Sequence, residues 1–93
     1  MATFTATKDP DARIRFEIDW SAYLVEDSIT ASSWTIENGD GSLVVESDSF
    51  DANKAGAWIT GGNPNRSYVL ANQVTTDAGT IDRRRIELTV ARL

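Results

Sequence analysis

Few side chains in this sequence could do chemistry. Asp9, Asp11, Asp19, Asp48 and Asp51 could form carboxylate pairs, and a glycosidase needs two such groups flanking a cleft. These aspartates read as turn residues, where Asp is favoured because its side chain bonds its own backbone. Asn38-Gly39-Asp40-Gly41 offers oxygen ligands for calcium. An EF-hand loop would also need flanking helices and a closing Glu, and a hairpin turn accounts for all four residues. Gly61-Gly62-Asn63-Pro64-Asn65 lacks the Lys-Ser/Thr of a phosphate-binding loop and reads as a turn. The chain has no cysteine and no histidine, which excludes a thiol nucleophile, a Ser-His-Asp triad and a histidine switch, and with them the usual zinc site. No catalytic residue, metal or cofactor is expected, and the protein is not expected to be an enzyme.

Arg83-Arg84-Arg85 is the one basic run. Neighbours in a strand alternate sides, so Arg84 opposes Arg83 and Arg85. Edge protection and pairing with acids is the plain role for such a run; a partner contact is the other. The net charge of −5 argues against nucleic acid, which needs a basic footprint. No apolar run approaches the roughly 20 residues that span a bilayer, so no membrane partner is expected. The N-terminus, MATFTATKDPDARIRF, has no apolar h-region and does not read as a signal peptide. Trp20, Trp34 and Trp58 could form a carbohydrate platform if two were exposed and coplanar; Trp34 and Trp58 are instead expected in the core, where large aromatics supply most burial in a small domain.

The elements that must position these residues are all β. The 93-residue length suits one domain. Residues 1–12 read as a polar arm ending in the Asp9-Pro10-Asp11 turn, and residues 13–93 as the domain. Arg13 to Asp19 alternates, with Ile14, Phe16 and Ile18 on one face. Trp20 to Val25 reads as a single turn with Asp19 as its cap. Ile29 to Ile36 is a strand, joined through the Asn-Gly turn to a hairpin partner from Leu43 to about Ser49. Ala55 to Thr60, Arg66 to Thr76 and Thr80 to Val90 complete the strands. Ile81 breaks the phase of Ile86, Leu88 and Val90, and a bulge near Asp82–Arg84 would return it to the core. The expected core is Ile14, Phe16, Ile18, Trp34, Ile36, Val45, Trp58, Tyr68, Leu70, Val74, Ile86, Leu88 and Val90. Six or seven short strands with regular turns point to an immunoglobulin-like antiparallel β-sandwich, with a small barrel as the alternative.

The order of residues adds a resemblance. Lys8-Asp9-Pro10-Asp11-Ala12, Ile18-Asp19-Trp20-Ser21-x-x-Leu24, Asp27-x-Ile29-x-x-Ser32-x-Trp34, Trp58-x-x-Gly61-Gly62 and Tyr68-x-x-x-Asn72-x-Val74-x-Thr76-x-x-Gly79-x-x-Asp82-x-Arg84-x-Ile86-x-Leu88-x-Val90 resemble the small immunoglobulin-like structural proteins of tailed phages and prophages, some of them fibre–tail adaptors. The resemblance covers Lys8 to Val90. It implies a non-enzymatic virion component that docks to other tail or virion proteins, is assembled in the bacterial cytoplasm and can oligomerise in the particle. An immunoglobulin-like module binding carbohydrate or a cell surface is the alternative. Gly61-Gly62 followed by Tyr68 resembles the immunoglobulin-like corner in which a Tyr hydroxyl bonds the upstream backbone. Arg83, Arg84, Arg85, Asn63 and Asn65 are the candidate partner contacts.

Overall fold

The computed structural model describes residues 3–92. Seven strands follow in order: β1 Thr3–Lys8, β2 Ile14–Asp19, β3 Ile29–Ile36, β4 Leu43–Phe50, β5 Lys54–Gly61, β6 Arg66–Thr76 and β7 Ile81–Val90. They form two sheets, β1-β7-β6-β3 and β2-β5-β4, which face each other across one core. This is an immunoglobulin-like β-sandwich. All pairings are antiparallel except β1 with β7, which run parallel, Thr3 opposite Arg85 and Lys8 opposite Val90.

Alternation explains the core. On β6, Tyr68, Leu70, Asn72, Val74 and Thr76 point inward; on β7, Ile86, Leu88 and Val90 do so. Ile18, Trp20, Leu43 and Ile59 fill the space between the sheets. Ile14, Phe16, Ile36 and Val45 are half-buried at the margins.

Four sequence expectations are corrected. Thr3–Lys8, read as part of a polar arm, is a strand completing the larger sheet; Met1 and Ala2 of that arm lie outside the described residues. Its threonines suit a strand with one wet face, and its partner is remote in sequence. Second, β3 and β4 are not a hairpin but belong to different sheets. The Asn38 side chain accepts from Val69 N (2.7 Å) and donates to Ser67 O (3.3 Å), tying the turn to β6 and sending the chain across the sandwich. Third, Trp58 lies on the outer face of β5, half-buried under Arg13, whose guanidinium carbon is 4.2 Å from the ring centroid. The inner positions of β5 belong to Ala55, Ala57 and Ile59. Fourth, β6 and β7 pair without a register shift, so Ile81 stays on the outer face, 63% exposed. The bulges fall instead at Ile29/Ala31 and Val45/Ser47.

Candidate functional site: loop end, arginine face and open edge

The turns after β1, β3 and β5 gather at one end of the sandwich, and Asp40 is the hub of that end. Its Oδ1 accepts from Ser42 N (3.0 Å) and from Ser42 Oγ. Its Oδ2 accepts from Asn63 Nδ2 (2.8 Å) and Tyr68 Oη (2.9 Å), with Arg66 Nε at 3.4 Å. Hydrogen bonds to the charged form, those of Ser42 foremost, hold its carboxyl far below the ordinary range. The Tyr68 hydroxyl in turn accepts from Asn63 N (2.9 Å). Ser42 Oγ and Tyr68 Oη stand 3.0 Å apart, both with their protons directed to Asp40.

Gly61 and Gly62 make this corner feasible. Both have positive φ, 78° and 98°, and a Cβ on Gly61 would sit 2.1 Å from Ser42 O, so no side chain fits. Lys8 plugs the same end. It is fully buried, donating to Asp9 O (2.7 Å) and Gly61 O (2.8 Å). Desolvation lowers its pKa against the opposing pull of Asp9 and Asp11.

The candidate contact residues are therefore distributed. Asn63 is spent on Asp40 and Tyr68, and Asn65, at φ 64°, donates its N–H to Val90 O (2.7 Å). The arginines are divided between faces. Arg83 and Arg85 both reach Glu37 on the outer face, at 3.0 and 2.7 Å, and Arg83 also donates to Gln73 Oε1. Arg84 turns inward, 4.3 Å from the ring centroid of the buried Trp20, a cation–π contact. Trp20 Nε1 donates to Asn72 Oδ1 (3.0 Å), while Asn72 Nδ2 donates to Ser32 Oγ and Ser33 O. The sequence signal for this buried network was only the ordered Trp20, Ser32 and Asn72 of the resemblance. Among the described residues no group of three or more acids is placed to hold a metal ion. Trp20 and Trp34 are buried, so two coplanar exposed tryptophans do not form.

The sequence reading missed a different surface. β1 and β2 are the edges of their sheets on the same side of the sandwich. Between them lies a groove whose lining includes Phe4, Ala6, Phe16, Ile18 and Ile86, with Glu17 and Asp19 on the β2 lip. Phe4 is 43% exposed. On the opposite side β3 and β4 pack together and close the sandwich. β2 carries Arg13, Arg15, Glu17 and Asp19 in or beside its edge, a charge pattern that blunts strand pairing, whereas β1 has no charge before Lys8.

Comparison with known proteins follows the fold and one family. A segment of a 2,6-sialyltransferase from Vibrionaceae Photobacterium sp. JT-ISH-224 has a similar fold, with TM-score 0.67 and 16% identity over 98% of this chain. The chain spans only 18% of that enzyme, so the likeness is one of fold alone. The PKD domain from KIAA 1837 protein is similar at TM-score 0.59 and 18% identity, covering 96% of this chain and 79% of that domain. No curated protein sequence matches. Residues 8–89 match the family described as podophage GP4 fiber-tail adaptor protein gp77, a span that includes the buried lysine, the Asp40–Tyr68 corner, strands β2 to β6 in full and all of β7 but its last residue. The chain belongs to this podophage fibre–tail adaptor family.

Proposed function

We propose that the protein is a non-catalytic structural adaptor of a podophage-type tail, working by docking to other virion proteins. The observation that carries this reading is the open β1 edge beside the apolar groove, because an unpaired strand edge whose one charged residue, Lys8, is buried is a template for another chain. The polar clusters support it from the other direction. Asp40, Glu37, Arg83 and Arg85 are committed to contacts within the domain, which makes them framework rather than reactive groups. The net charge of −5 favours a protein partner over nucleic acid. Assembly would take place in the bacterial cytoplasm, with the protein retained in the particle, where copies can be arranged around the tail axis.

Mass spectrometry of purified particles, with affinity co-purification from infected cells, tests this reading. The protein should be found in particles and should co-purify with tail proteins. Absence from particles together with glycan-array binding would replace it with a carbohydrate-recognition role.

A further inference from the structure

We infer that the β1 edge receives an extended, basic segment of another polypeptide as an added strand, with apolar side chains entering the groove and a Lys or Arg meeting Glu17 and Asp19. This deepens the docking reading and rests on it. The outer edge of β1 has no strand beside it among the described residues, so its peptide groups can extend the sheet. The other edge of the same sheet, β3, is a poorer template. It carries the bulge at Ile29/Ala31, which twists an edge out of register, and β4 packs against it.

The groove fixes the register of the incoming strand. Phe4 and Ala6 point to the same side of β1 and line the groove with Phe16 and Ile18 of β2. A strand laid beside β1 also alternates, so every second side chain faces these apolar groups and the others face solvent. That selects a segment with apolar residues two apart. The charge of the lip selects the rest. Glu17 and Asp19 stand two apart on β2. Glu17 shares Arg15 at 2.6 Å and Asp19 accepts from Ser21 N, so both carboxylates keep acceptor capacity for an incoming cation. The domain as a whole is anionic, which steers a basic segment toward it and opposes an acidic one.

The test uses an array of overlapping twelve-residue peptides covering the structural proteins encoded with this one, probed with the full chain. Bound sequences are then measured by fluorescence anisotropy. Peptides that alternate apolar residues and contain Lys or Arg should bind, and Glu in place of those basic residues should weaken binding at least tenfold. Phe4→Glu should abolish binding, with circular dichroism checking that the sheet persists. A Glu17→Lys/Asp19→Lys variant, changed only on the exposed lip, should reverse the preference toward acidic peptides. Amide shifts on peptide addition should concentrate in 3–8 and 14–19. Failure of any peptide to bind, indifference to the lip variant, or shifts confined to other strands would overturn the strand-addition inference. If the protein still co-purifies with tail proteins, docking stands and only its mode is wrong. If co-purification also fails, the docking reading itself falls.

Discussion

Replacing Tyr68 by Phe isolates the chemistry of the loop-end corner while leaving the ring in place. Tyr68 is fully buried. Its hydroxyl donates to Asp40 and accepts from Asn63 N, both at 2.9 Å. Tyr68→Phe removes one bond to a charged acceptor and leaves one backbone N–H without its partner. A hydrogen bond to an ionised group is worth about 1.5–3 kcal/mol and a neutral one about 1 kcal/mol. Asp40 keeps Ser42, Asn63 and Arg66, and water can reach the vacated site, so the expected loss is about 2 kcal/mol rather than the sum. For a domain of this size that lowers Tm by about 8–16 °C. With a urea slope of about 1 kcal/mol/M, the midpoint falls by about 2 M. Urea titration followed by tryptophan fluorescence reads both quantities. Tyr23→Phe, which removes a hydroxyl bonded to Asp82 at the surface, serves as the solvent-exposed comparison, where water replaces the lost bond, and should move the midpoint much less. A Tyr68→Phe midpoint within about 0.3 M of the parent, at unchanged slope, would refute the account of the corner.

Other expectations follow from the same geometry. Asn72→Leu leaves Trp20 Nε1 and Ser33 O without their present partner and should cost about 3 kcal/mol, with loss of near-ultraviolet dichroism from Trp20. Gly61→Ala, which meets Ser42 O, should destabilise by about 3 kcal/mol or more and reduce soluble yield, whereas Gly79→Ala, with the same sign of φ but open space around it, should cost about 1 kcal/mol by thermal melt. Asp19, Asp27, Glu37, Asp40 and Asp51 all have lowered pKa values. Between the folded values and the unfolded ones near about 4, the unfolded chain binds more protons. Stability should therefore be complete above that range and fall as pH drops through it. Asp40→Asn should be less stable at neutral pH and show a shallower acid limb, read from urea midpoints at a series of pH values.

The strands that were legible in the sequence were those with their alternation in bulky residues. Ile14, Phe16 and Ile18, and Ile86, Leu88 and Val90, mark inner faces directly. β5 misled because two of its three inner side chains, Ala55 and Ala57, are small and its largest side chain, Trp58, points outward; size is not a reliable guide to phase where the opposite sheet supplies much of the bulk. The Asn-Gly turn carried a real local preference for a hairpin, overridden by the Asn38 bonds to the neighbouring strand. Local sequence cannot announce such a bond. The same holds for Asp40, which was read as a turn residue, although Tyr68 across from it was expected to seek a partner. The candidate contacts were polar and conspicuous, and the Asn63, Arg83, Arg84 and Arg85 side chains also make contacts within the domain. The open edge depends on which strands are neighbours, so it emerges only from topology.

That topology has a consequence in time. Among the described residues β1 pairs only with β7, the first strand with the seventh. During synthesis β1 emerges early, but its partner is completed only when Val90 has been added. Long-range parallel pairing is slow to form because loop closure must precede it. Until then the edge proposed for docking has no sheet behind it and the groove lacks Ile86. An unfinished chain thus offers no template to a partner, and competence to assemble arrives together with completion of the fold.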